Sequence, residues 1–134
     1  MLDMRNRMVS FIHGFICIFL AGYSTYFLTS ECGQKNTEFE KLIVMNSAGY
    51  FMYDFIAMAY FGLLDSGMFI HHNICIIGMV LALCEGVSAN YIVAGTFVSE
   101  ISNPAMHFRM VLKHLGYRYT KSYELSELIY ICKN

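Results

Sequence analysis

MVSFIHGFICIFLAGYSTYFL, residues 8–28, is the stretch that decides the architecture. It runs 21 residues without a formal charge, and at about 1.5 Å per residue a helix of that length spans about 31 Å, the thickness of a bilayer core. It is too long for the hydrophobic region of a cleavable signal peptide, and no small-x-small site leads into a polar mature start. Working outward, residues 42–64 form a second such run, interrupted only by Asp54. Residues 69–84 form a third, beginning near the pair His71-His72. A fourth, 88–112, carries Glu100, Pro104 and Arg109 yet is long enough to cross. The segment 123–132 is apolar with two glutamates and too short to span, so it reads as a partial fifth helix.

Composition agrees. The 134 residues are 57% hydrophobic and 14% charged, against roughly 25% charged in soluble domains. The expected fold is therefore all-α: a polytopic transmembrane helix bundle with four spanning helices and a partial fifth. No repeat and no linker divides the chain, so residues 1–134 read as one domain. A formal net charge of −1 provides no basic field for nucleic acid, which is excluded as a partner. Alternation of the four runs puts Arg5, Arg7, Lys113, Arg118 and Lys121 on one face and Lys35 and Lys41 on the other. The richer face is expected to be cytosolic, and the N-terminus with it. The Thr29 to Lys41 loop then lies on the opposite side.

Of five cysteines, four sit in apolar stretches and act as small hydrophobes, so no disulfide framework is implied. Cys-x-x-Cys and His-x-x-x-His spacings are absent, and so are phosphate-binding and dinucleotide-binding glycine patterns. No metal site and no cofactor is expected.

The informative residues are the ionisable ones inside the apolar runs. A buried Asp costs roughly 2.5–3.5 kcal/mol on insertion scales, so such groups face the bundle interior and find partners. Asp54 and Glu100 fall near the middle of their runs, while His13, His71 and His72 lie toward the cytosolic side; all five are expected in one cytosolic-half cavity. In the fourth run Thr96, Glu100, Asn103 and His107 share a helical face. Pro104 deprives the Glu100 carbonyl of its donor, so a kink is expected there. Tyr50, four residues before Asp54, is the expected local donor to that carboxylate. His71 and His72 diverge by about 100° around the axis, so one ring is expected in the cavity and the other on backbone or headgroup. Ser10, Gly14, Cys17, Ala21 and Ser24 form a small-residue seam suited to close helix packing. Arg109 and Lys113 read as snorkelling anchors. The local chemistry is a proton-transfer constellation in a lipidic cavity.

Taken in order, Asn6-Arg7 with His13-Gly14, Gly49-Tyr50-Phe51 with Asp54, His71-His72, and Ser99-Glu100-Ile101-Ser102-Asn103-Pro104 with Arg109 resemble the TLC-domain family. That superfamily includes ceramide synthases, translocon-associated TRAM proteins and further TLC domain-containing proteins. The resemblance implies a multipass fold with one more helix before the first run and complete helices after the fourth, so the chain is expected to be shortened at both ends. In ceramide synthases it would assign the histidine pair and the acids to acyl transfer from acyl-CoA to a sphingoid base, a histidine serving as general base. Ceramide synthases carry two acids in the 99–103 region, whereas here Glu100 stands alone and Asn103 takes the second place. The preferred reading is therefore a membrane protein that binds lipid or influences lipid composition, with His13, Tyr50, Thr96 and Asn103 lining the cavity. The alternative is an N-acyltransferase using His71 or His72 with Asp54 and Glu100. Expected partners are membrane lipids, acyl-CoA or a sphingoid base under the alternative, and a second copy of the chain; the expected location is the endoplasmic reticulum or plasma membrane. Five scattered histidines without His-x-x-His-His spacing do not supply a diiron hydroxylase ligand set.

Overall fold

A computed structural model describes residues 2–28, 33–101 and 103–131. Cys32, Ser102 and Cys132, the first part of the Thr29 to Lys41 loop and the Arg5 side chain lie outside the described residues. Six helices follow one another: α1 (Leu2–Phe27), α2 (Glu38–Tyr60), α3 (Ser66–Glu85), α4 (Ala89–Glu100), α5 (Asn103–His114) and α6 (Lys121–Ile131). No strand occurs among the described residues, only the isolated bridge between Lys35 and Val87.

Helix ends follow local chemistry rather than hydropathy. α1 starts at Leu2, a full turn and more ahead of the apolar run, because the polar turn before Met8 is helix-compatible. α2 starts at Glu38, ahead of the expected residue 42, where Thr37 and Glu40 form a capping box: the Glu40 N–H donates to Thr37 Oγ1 at 3.2 Å and the Thr37 N–H to Glu40 Oε2 at 2.8 Å. It stops at Tyr60 because Gly62 turns the chain at φ 66°, which leaves Leu63 and Leu64 outside. Asp65 caps α3 by accepting from the Met68 N–H at 2.9 Å.

The fourth run departs furthest from expectation. Instead of one kinked spanning helix it is two helices of 12 residues each, broken after Glu100. Pro104 sits in the first turn of α5, where a missing N–H costs no intrahelical bond, so the kink becomes a restart. At about 18 Å each, neither piece reaches across a bilayer core alone. Three helices are individually long and apolar enough to cross, at Asn6–Phe27, Glu38–Tyr60 and Ser66–Glu85. The four expected spans thus become three spans and a broken pair.

The pair still follows α1 end to end, running antiparallel to it. A Cβ on Gly22 would meet the Phe97 ring at 2.9 Å, and one on Gly14 would meet Glu100 Oε2 at 3.1 Å and Pro104 at 3.5 Å. The small-residue seam explains this approach, since Ser10, Gly14, Cys17, Ala21 and Ser24 are all buried. α2 also lies antiparallel to α1, α3 packs on α2 and touches α4, α2 and α4 meet directly, and α6 packs on α5. Arg109, expected as a snorkelling anchor, has its Nη1 3.3 Å from Glu127 Oε1, a contact that ties α5 to α6.

The two ends of the bundle differ. One is closed by an apolar core of Ala21, Ile43, Val44, Ala48, Met79, Ala89 and Val93, with Phe39, Leu83 and Phe97 against it. Outside, large apolar side chains stand free, with Phe19 69%, Ile56 64% and Ile74 66% exposed. Such a continuous apolar exterior is a lipid-facing belt, since a water-soluble monomer rarely shows one. The protein is membrane-embedded.

Candidate functional site

The other end opens into a cavity of about 510 Å³. Asn6, Arg7 and Ser10 reach it from α1, Tyr50 and Asp54 from α2, His71 and His72 from α3, and Glu100, Asn103 and His107 from the α4–α5 break. These residues are far apart in sequence but share one level, because antiparallel packing brings the start of α1 and α3, the end of α2 and the break together.

A hydrogen-bonded chain runs along one wall. Asn6 Nδ2 donates to Asp54 Oδ1 at 2.7 Å, and Asp54 Oδ2 lies 2.9 Å from His72 Nε2. The opposite ring nitrogen, Nδ1, is 2.9 Å from the Met68 carbonyl. A carbonyl only accepts, so Nδ1 carries its hydrogen. The contact on the other side is then a hydrogen bond only with a second proton held between Nε2 and Oδ2. His72 and Asp54 are 2% and 6% exposed, so the contact lies sealed inside the wall, and the Met68 carbonyl of α3 fixes the ring that makes it.

Across the cavity Glu100 is buried and accepts from Asn103 Nδ2 at 3.0 Å, a bond that spans the helix break. Gly14 provides the space in which this carboxylate packs against α1. His71 is exposed at the cavity wall, its ring edge-on to His72 at 5.7 Å and near Phe51 at 5.8 Å. Both rings of the pair therefore line the cavity, and it is the cavity-lining His72 that also binds backbone.

Six of the eight expected site residues thus meet at the cavity: Asp54, His71, His72, Glu100, Tyr50 and Asn103. His13 and Thr96 do not line it. Each lies deeper toward the closed end: His13 stacks on Tyr50, centroids 3.8 Å apart, with Nε2 3.3 Å from Cys17 Sγ, while the Thr96 carbonyl accepts from Ser99 Oγ. Tyr50 is not the donor to Asp54. Its ring carries the hydroxyl across to α1, where it donates to Ser10 Oγ at 2.7 Å, and Ser10 Oγ in turn donates to the Asn6 carbonyl at 3.0 Å.

The donor to Asp54 is Asn6, which sequence reasoning did not place in the site. A usable sign existed: Asn6 lies one turn before Ser10 and extends the small-residue seam into the charged start of the helix. Asn6 Oδ1 is buried without a hydrogen-bond partner among the described residues. The wall therefore includes a spare acceptor next to the contact between His72 and Asp54. Among the described residues no cluster of metal-ligating side chains forms. The arrangement presents buried carboxylates, an unpartnered amide oxygen and an exposed imidazole around one cavity.

No solved structure matches the chain. The family model described as TLC domain matches residues 3–132 of the 134, a stretch that takes in every cavity residue from Asn6 to His107, and the chain belongs to the TLC-domain family.

Proposed function

We propose that this membrane protein of the TLC type binds the polar end of a membrane lipid in the cavity and acts on membrane lipid composition. The observation that carries the reading is the Asn6, Asp54 and His72 chain in the cavity wall, because a buried polar network beside an orphaned acceptor is costly in a bilayer unless a ligand completes it. In this reading the apolar tails stay in the surrounding lipid along the exposed belt while the headgroup enters between α1 and α3. The segment Glu100-Ile101-Ser102-Asn103-Pro104 supports a relationship to TLC domain-containing protein 5 within the family. We place the N-terminus and the cavity mouth at the cytosolic face of the endoplasmic reticulum or plasma membrane.

The test is lipid retention. Protein purified in mild detergent, washed and assayed by mass spectrometry should carry bound lipid. Asp54→Asn, which keeps the shape and removes the carboxylate, should retain about 10-fold less or lower still, the loss expected for one charge-assisted hydrogen bond. Equal retention by the two proteins would remove the basis of the reading.

A second reading is favoured by one observation, the buried contact of 2.9 Å between His72 and Asp54 next to the accessible ring of His71. It is N-acyl transfer, with acyl-CoA and a sphingoid base as substrates, His71 or His72 as base and Asp54 and Glu100 orienting the amine. Reconstituted protein supplied with both substrates should give no amide product under the preferred reading. Product that disappears in both His72→Ala and Glu100→Gln would establish the enzyme instead.

A further inference from the structure

On the far side of Tyr50, the lipid-facing surface between α1 and α2 is an open groove that the lipid-binding reading does not use. Ile12, Ile16, Met45 and Tyr53 line it, and at its centre are Asn46 and Gly49. Asn46 is the ninth residue of α2, about 12 Å along a helix of about 34 Å. Its side chain is exposed on the apolar exterior and makes no hydrogen bond to any described residue. A carboxamide there faces hydrocarbon, where neither water nor headgroup answers it. Gly49 is equally exposed, and a Cβ on it would meet nothing within 4 Å. No contact inside the chain requires glycine at that position, although glycine weakens a helix relative to alanine.

We propose that this groove seats a second copy of the same chain in a two-fold dimer centred on Asn46. The argument is self-complementarity. A carboxamide both donates and accepts, so two copies related by an axis along the membrane normal bring Asn46 opposite Asn46 at identical depth, each donating Nδ2–H to the other's Oδ1. Any different partner must carry its own polar group at that depth, whereas symmetry supplies it here without further requirement. Gly49, three residues on and therefore on the same helical face, lets the partner backbone come close enough for the amides to meet. None of the groove residues is an Asp, Glu, Lys or Arg, so no like charges oppose one another across the axis. The pairing is the membrane counterpart of a single asparagine fixing register in a coiled coil.

The experiment uses the whole chain, labelled with one fluorophore and reconstituted in neutral phosphatidylcholine vesicles over a range of protein-to-lipid ratios, with subunits counted by stepwise photobleaching. Wild type should form dimers whose fraction rises with the ratio. Asn46→Leu, a substitution toward the lipid that leaves the bundle interior untouched, should raise the dissociation constant about 3- to 15-fold, the range measured for interhelical polar contacts in membranes. Asn46→Gln, which keeps the carboxamide, should recover most of the association, and Gly49→Leu should weaken it. Monomers at every ratio, assemblies larger than two, or an Asn46→Leu protein that dimerises as tightly as wild type would each overturn the proposal.

Discussion

Asn36 and Asn6 are the same residue at opposite ends of the bundle, and they do opposite things. Asn36 is buried in the connection between α1 and α2, and its side chain caps two helices at once. Nδ2 donates to the Ala82 carbonyl near the end of α3, and Oδ1 accepts from the Ala89 N–H at the start of α4, both at 2.8 Å. Its own N–H donates to the Gly86 carbonyl at 2.8 Å. Asn6 gives its amide to Asp54 and keeps a buried oxygen without a partner among the described residues. At the closed end both side-chain polar atoms and the N–H of the asparagine are used to hold the chain together. At the open end the same chemistry is left incomplete beside a cavity. A satisfied polar group is a structural pin; the incomplete one is the group that the proposed lipid headgroup would complete.

That contrast can be tested by mutation, and the largest effect is expected at the pin. Asn36→Ala removes the partners of two buried backbone groups, and at about 1–3 kcal/mol for each group left unsatisfied the loss of stability should total about 2–6 kcal/mol. Thermal unfolding in detergent reads it, and an unchanged midpoint would show that the closed end is held by its apolar core alone. Gly22→Ala comes next. Its new Cβ falls 2.9 Å from the Phe97 ring, which packs against that core and has little room to move, so about 1–3 kcal/mol of overpacking strain is expected by the same measurement. Gly14→Ala should be the mildest, below about 1 kcal/mol, because its Cβ at 3.1 Å meets the carboxylate end of the Glu100 side chain, which borders the cavity and has space to shift. It should nevertheless lower lipid retention, since the displaced carboxylate loses its bond to Asn103. If Gly14→Ala and Gly22→Ala cost the same, the two ends are equally rigid and the distinction fails.

How far the sequence could be read follows from particular residues. The apolar run 8–28 identified α1 as a spanning helix, and the expense of Asp54 and Glu100 in hydrocarbon was enough to turn both inward. Pro104 located the interruption in the fourth run, but whether the helix bends or restarts depends on what packs against it. Here Gly14 admits the Glu100 side chain and Asn103 bonds back to that carboxylate across the gap. Thr37 and Glu40 have capping-box spacing, a local sign that hydropathy overrides when helix starts are set by where charge ends. Asn6 was hidden for the same reason: it belongs to a charged turn that reads as a flank, and only the crossing of α1 with α2 carries it to Asp54, 48 residues away.

By itself, then, the sequence determined that the chain lives in a membrane, how many apolar segments it has, and which acids and histidines are too costly to face lipid. Those are properties of transfer from water, which sum residue by residue and need no partner. The tertiary structure alone decided who pairs with whom: Asn6 rather than Tyr50 on Asp54, both histidines rather than one in the cavity, Asn36 across two helix ends. Hydrogen bonds reach about 3 Å and demand direction, so they are fixed only when helices distant along the chain have settled at a particular level against one another.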